Sequence, residues 1–173
     1  MISIRTEQTT DVRAREALLD EAYGPSRFRK PSEKIRRGRQ PAAGLALVAA
    51  DGDRMIGTVR LWDVACGDRP ALLLGPVAVA CDRQGEGIGA ALVERAVDAA
   101  RARGHGAVVL VGDAAYYGRF GFSAEKTGAL AMPGPFERHR LLGLELVPGA
   151  LDGAAGVIAA TGRPVIRTRR KAA

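Results

Sequence analysis

Aromatic side chains make up 5% of the 173 residues, and cysteine and histidine number two each. With so few aromatics and no recognition motif, a nucleic-acid-binding module is disfavoured, although the basic charge balance keeps that class in view. Cys66 and Cys81 are spaced for neither a CxxC redox motif nor a zinc site, and two thiols make no disulfide scaffold. Both are expected free and reduced. His105 and His139 are too scattered for a His-rich metal site, so no metal is expected. Long apolar runs are missing too. The longest, Ala71 to Cys81, is interrupted by Gly75-Pro76 and is far too short to cross a bilayer. The opening MISIRTEQTT turns polar within its first residues and does not read as a secretory signal. A cytoplasmic protein with no membrane partner is the expectation. Lysine is rare as well: of 26 basic residues, only Lys30, Lys34, Lys126 and Lys171 are not Arg. The net charge is +7 and the pI about 10.1, a surface that attracts anions without choosing among them.

What is present suits one soluble domain with a sizeable core: 47% apolar and 26% charged residues, without repeats or linkers. The domain is expected over 1–166, with a basic C-terminal tail at 167–173. ISIRT (2–6) alternates like an edge strand. A helix is expected from Thr10 to Tyr23, capped by Thr10 or Asp11. The stretch from Gly24 to Gly44 carries seven basic residues between Arg27 and Arg39 against one acid, Glu33, with a short helix between Pro31 and Arg39. Strands at Leu45–Ala50 and Met55–Trp62 flank Asp51-Gly52-Asp53, a strong hairpin signal. A third strand, Ala71–Ala80, contains Gly75-Pro76, and a proline there demands a bulge or an unpaired edge. A helix from Ile88 to Arg103 ends at Gly104. A buried-type strand at Ala107–Val111 and a short helix at Ala114–Phe120 follow. Further strands are expected at Leu141–Val147 and Val157–Ala160.

The richest signal is Gln84-Gly85-Glu86-Gly87-Ile88-Gly89, between a strand and a helix. Glycines at alternate positions let the backbone approach an anion, and the following helix adds its first free amides and the positive end of its dipole. The arrangement suits a pyrophosphate. Gly85-x-Gly87-x-x-Ala90 formally fits a dinucleotide fingerprint, but that motif expects a first βαβ unit and an acid about twenty residues on. Here an antiparallel meander precedes it, and residues 103–110 contain no acid. No Gly-Lys-Ser/Thr follows, so a Walker loop fails as well.

The run Val77-Ala-Val-Ala-Cys-Asp-Arg-Gln-Gly-Glu-Gly-Ile-Gly89 resembles the acyl-CoA-binding motif of the GNAT acetyltransferase superfamily, Gln/Arg-x-x-Gly-x-Gly/Ala. Gln84, Gly87 and Gly89 fill its defined positions. Tyr-Tyr-Gly-Arg-Phe-Gly-Phe, ending at Phe122, matches the same family's Tyr-x-x-x-Gly-Phe. Cys81 stands where many relatives have Pro. The segment Val-Gly-Asp-Ala-Ala-Tyr-Tyr and the long C-terminal region are similar to the YhbS-like branch. The resemblance implies a single-domain α/β fold: a mixed, mostly antiparallel sheet flanked by helices, its fourth and fifth strands splayed to admit a pantetheine arm. It implies acetyl-CoA as cosubstrate, contacted by Val77, Ala78, Val79, Gln84, Gly85, Glu86, Gly87, Ile88, Gly89 and Ala90.

The implied reaction is acetyl transfer to a primary amine by direct attack on the thioester, with Tyr117 protonating the departing CoA thiolate. A phenol of ordinary pKa is protonated at neutral pH and able to do so. Tyr116 ranks behind it, and Phe120 and Phe122 read as core. The Val77 amide is the candidate donor to the thioester carbonyl. No general base is assigned; Asp63, Asp68, Glu137 and His139 read as surface residues. The Arg27–Arg39 cluster is either a solvated face or a recruiter of an anionic acceptor. A non-catalytic CoA-binding sensor is the alternative function. The acceptor, the acyl length and the oligomeric state, including a homodimer, stay open.

Overall fold

The computed structural model describes residues 1–166, so the basic tail expected at 167–173 lies outside the described residues. Along the chain run β1 (Ile2–Thr6), α1 (Val12–Tyr23), α2 (Pro31–Arg36), β2 (Ala46–Asp51), β3 (Arg54–Cys66) and β4 (Arg69–Val79). They are followed by α3 (Ile88–Ala102), β5 (Ala107–Val111), α4 (Ala114–Tyr117), β6 (Leu130–Ala131), β7 (Leu141–Glu145), β8 (Gly156–Val157) and β9 (Ala159–Ala160). The main sheet has the order β1-β2-β3-β4-β5-β7, with β9 added to the far end of β3. All its pairings are antiparallel except β4–β5. β6 and β8 form a small parallel pair of their own. This is the α/β, mostly antiparallel arrangement the resemblance implied.

Alternation along the strands sorts the apolar side chains onto two faces. Leu72, Leu74, Val108, Leu110 and Leu142 point to one, packing with Leu18 and Leu19 of α1 and the inner stripe of α3. That stripe, Ile88, Leu92, Val93, Ala96, Val97 and Ala100, has helical spacing, and burying Leu92 alone contributes about 1.5–3 kcal/mol. Leu73, Ala71, Val109 and Leu141 point to the other face, covered by Ile35 of α2 and by Leu130, Met132, Leu151 and Ile158. The central strands β4 and β5 are thus buried on both sides, which is why they read as continuous apolar runs. Among the described residues no helix is long and apolar enough to cross a membrane.

Several expected boundaries move. α1 begins at Val12, after a 3-10 turn at Thr9–Asp11. Asp11 holds the N-cap position but does not cap, because its carboxylate binds Arg5 at 2.6 and 2.9 Å and accepts the Gln8 amide at 2.7 Å. β3 continues past Trp62 to Cys66 because Gly67-Asp68 makes a second hairpin turn, leading straight into Arg69. The expected strand at Val157–Ala160 divides into β8 and β9, which belong to different sheets. The expected helix at Ala114–Phe120 is α4 followed by a 3-10 turn, Gly118–Phe120.

One charged cluster ties the elements around the cavity described below. Glu7, after β1, accepts from Arg15 of α1 and from Arg60 of β3, the latter through Nε at 2.9 Å. The Glu7 and Arg15 side chains are 6% and 9% exposed, so neither charge has water to fall back on. Glu7→Ala should destabilise the protein by about 3–5 kcal/mol, as breaking a buried ion pair does. Urea unfolding checks this; a loss below about 1 kcal/mol would mean that the cluster is hydrated in solution.

Candidate active site

The site begins where β4 and β5 part. Their ladder registers only Leu72 with Val108 and Leu73 with Val109, although both strands run on. On its other edge β4 pairs Leu74 with Leu61 and then Val77 with Val59, leaving Gly75 and Pro76 opposite the single residue Arg60. This is the expected bulge, and the Gly75–Pro76 bond within it is cis. The indole N–H of buried Trp62 donates to the Gly75 carbonyl at 2.7 Å, which satisfies one backbone group released by the irregularity. Beyond the bulge the Ala80 amide donates to Ile56 on β3. Strand periodicity then turns the backbone of Ala78 toward β3 and that of Val77 and Val79 to the open edge. The Tyr23 hydroxyl donates to the Val77 carbonyl there.

Two cavities meet this edge. The larger, of about 490 Å³, is lined from the sheet by Leu73–Val77, Leu110 and Val111, and also by Tyr117. The smaller, about 330 Å³, lies over the glycine loop. Seven of the ten expected cofactor contacts line the smaller one: Val79, Gln84, Gly85, Gly87, Ile88, Gly89 and Ala90. Val77 lines the larger. Ala78 and Glu86 line neither: the Ala78 side chain packs in the core, and Glu86 is paired with Arg83 at 2.8 Å. Gly85 and Gly87 sit at φ +84° and +79°, a region closed to most side chains, and Gly87 is the N-cap of α3. Ala91 bonds back to Gly87, and among the described residues the amides of Gln84 to Ala90 donate to no backbone or side-chain acceptor. The loop is therefore a row of available donors at a helix N-terminus.

The adjacent tyrosines serve different cavities. Tyr117 faces the larger; Tyr116 faces the smaller, its hydroxyl 3.4 Å from where a Cβ on Gly89 would stand. The Asp113 side chain caps α4 by accepting the Ala115 amide at 3.0 Å, and the Tyr117 ring lies edge-on to Phe122. Gly112 makes room for that ring: a Cβ there would stand 2.4 Å from Tyr117 Cε2. Burial pushes the Tyr117 phenol up to about 12, with Tyr23 and Tyr116 adding to the rise and Arg140 opposing it.

Sequence reasoning missed Arg119, Gly112 and Arg140. Arg119 lines the smaller cavity, its guanidinium 4.5 Å over the Tyr116 ring, and among the described residues it has no carboxylate partner. Arg140 lines the larger cavity from just before β7. The one available clue to Arg119 was its place two residues beyond Tyr117. None of the carboxylate and imidazole candidates Asp63, Asp68, Glu137 and His139 lines either cavity. The carboxylates that do are Glu16, held by Arg15 and Arg27, and Glu33, 3.5 Å from Arg36.

Comparison with known proteins agrees with this geometry. Residues 42–124 match the model of the Acetyltransferase (GNAT) domain. The chain is 30% identical over 162 residues to the uncharacterized N-acetyltransferase YhbS of Escherichia coli K12, covering 90% of this chain and 93% of that protein. The crystal structure of E. coli YhbS in complex with CoA superposes with a TM-score of 0.78 at 28% identity, over 92% of this chain and 89% of that one. A GNAT family acetyltransferase from Brucella melitensis in complex with acetyl-CoA gives 0.67 at 28% identity, over 92% and 95%. A divided sheet, a glycine loop of free amides and a tyrosine between them thus occur in a chain whose relatives share this fold nearly end to end, and the chain belongs to the GNAT family of N-acetyltransferases.

Proposed function

We propose that this acyltransferase moves an acetyl group from acetyl-CoA to a primary amine by direct attack on the thioester. The pyrophosphate lies on the amides of Gln84 to Ala90, and the acceptor occupies the larger cavity. The observation that carries this reading is the continuity of three features: the free loop amides, the open backbone edge at Val77 and Val79, and Tyr117 at the edge's far end. The CoA and acetyl-CoA held by the two similar structures support the same choice of cosubstrate. A dinucleotide would leave that open strand edge without a purpose, whereas a pantetheine arm carries amides that pair with it as a strand would. The Val77 carbonyl already accepts from Tyr23 but has a second lone pair to offer. The Val77 amide is the group we assign to the thioester carbonyl, where it stabilises the developing oxyanion.

Tyr117 delivers a proton to the sulfur as the C–S bond breaks. A phenol raised to about 12 is a weak acid, but the thiolate forms in the same dry slot. Burial has the same effect on sulfur elsewhere in the chain, pushing the Cys66 thiol up to about 11. Burial therefore raises donor and acceptor in the same direction, so the dryness of the slot does not oppose transfer along a hydrogen bond between them. The attacking amine must be neutral, and the cavity supplies the bias. Eight Lys and Arg side chains line it against Glu16 and Glu33, so an ammonium is disfavoured there. Lys30 is the internal example: burial first, then Arg36 and Arg140, hold its amine below the ordinary lysine range. The surplus proton on the attacking nitrogen leaves through water to solvent, and a proton from solvent restores the Tyr117 phenol, so no protein base is assigned.

Tyr117→Phe should lower kcat by about 10²-fold or more while leaving the acetyl-CoA Kd within about twofold, measured by thiol release and calorimetry. Unchanged turnover would remove the proton-donor role. A non-catalytic CoA sensor would instead bind acetyl-CoA and release no thiol with any amine. Arg119→Gln should weaken acetyl-CoA binding about tenfold through loss of a phosphate contact, and salt should narrow the gap. An unaltered Kd would place the phosphates elsewhere. Arg140→Gln removes a cation from the acceptor cavity and so raises the ammonium's pKa. The acid limb of the kcat profile, which reports the bound amine, should move to higher pH, by about 0.3–1 pH unit for a charge ~10 Å away. A stationary limb would mean that the amine loses its proton before entry.

A further inference from the structure

The seven basic residues between Arg27 and Arg39 are not equivalent once their partners are known. Arg27 is held by Glu16 at 2.6 Å and Asp20 at 3.0 Å. Arg37 donates to the Phe28 carbonyl at 3.0 Å, and Arg39 to that of Gly162 at 2.8 Å. On the opposite wall, Arg15 and Arg60 share Glu7. These cations support the cavity and are already engaged.

Arg37 and Arg39 are tied to carbonyls, whereas three other cavity-lining cations make no side-chain hydrogen bond shorter than 3.5 Å among the described residues. Arg36, at the end of α2, has a nearly buried side chain and a single carboxylate contact, Glu33 at 3.5 Å. Its Nη1 stands 3.5 Å from where a Cβ on Gly75 would be, so the guanidinium lies directly against the β4 bulge. Lys30 has no carboxylate partner among the described residues, and its ammonium rests 4.5 Å from the Tyr23 ring centroid. Arg140 approaches from the β7 side, with a distant contact of 3.6 Å to exposed Glu137. The three come from different segments and line the same cavity as Tyr117. Like charges gathered around one space raise its potential and are costly to hold together unless an anion joins them.

We propose that Lys30, Arg36 and Arg140 form an anion subsite in the acceptor cavity, so that the acceptor is an amine carrying a carboxylate or phosphate group. The inference rests on the assignment of the larger cavity to the acceptor. The anion anchors the far end of the substrate against these cations, and its amine is turned toward the slot between β4 and β5. A polyamine is rejected by the same charges.

The test is a titration of the CoA-saturated protein with inorganic phosphate, so that the glycine loop is already filled, followed by competition with matched amines. Phosphate should bind in the larger cavity, with Lys30→Gln and Arg140→Gln each weakening it about tenfold. Arg36→Gln adds a third reading where the variant retains the wild-type circular dichroism. Phosphoethanolamine or β-alanine should displace phosphate, and which of them does so identifies the phosphate or carboxylate form. Ethanolamine, β-alaninamide and spermidine should not displace it. Equal phosphate affinity in wild type and variants, or binding of spermidine as tight as that of the anionic amines, would overturn the subsite. Failure of the protein to take up CoA would instead overturn the acetyl-CoA assignment. The phosphate titration of the CoA-free protein and its variants would still read the subsite in that case.

Discussion

Two parallel strands that hydrogen-bond over two residues and then separate inside a protein create a debt of unpaired backbone groups. In this chain the rest of the site is arranged around that separation. Gly75 and Pro76 face a single residue of β3, so β4 bends away from β5, and Pro76 has no amide to offer a neighbour. Trp62 supports the Gly75 carbonyl through its indole, and Tyr23 reaches the Val77 carbonyl from α1. The remaining open edge is what a ligand with strand-like amides would complete. A continuous β4–β5 ladder would close the passage between the glycine loop and the larger cavity.

The two cavities attract negative charge by different physics. Over the loop, the charge is partial and fixed: backbone amides and the end of α3, with Arg119 as the neighbouring full charge. In the larger cavity it comes from side chains, some neutralised by Glu7, Glu16 and Asp20 and some not. Two consecutive tyrosines stand at the border. The cap at Asp113 and the space left by Gly112 set the rotation of α4, which sends Tyr116 to the loop and Tyr117 to the slot. The same dryness that raises the Tyr117 phenol also raises a thiolate formed beside it, so low polarity does not oppose proton transfer between them.

Much of this was legible in sequence because the signals are local. The stripe of α3, the strand at 107–111, the turn at Gly52 and the bulge at Gly75-Pro76 each follow from spacing or from the chemistry of one or two residues. The glycine loop was legible for the same reason. Tyr117 was singled out through resemblance, since spacing alone does not aim a phenol. What escaped depends on contacts between distant segments. Asp11 reads as a cap until Arg5 claims its carboxylate. The Arg27–Arg39 run reads as one patch until Glu16, Asp20 and two carbonyls divide it. Arg140 belongs to the cavity because the chain returns across the sheet, more than a hundred residues after Lys30 enters it.

Amide hydrogen exchange, followed with and without acetyl-CoA and with NAD as comparator, tests the central claim most directly. Acetyl-CoA should slow exchange at Val77 and Val79 and across Gln84 to Ala90 together, while NAD leaves both segments as they were. Protection of the loop without the strand edge, or protection by NAD, would contradict a pantetheine slot between β4 and β5.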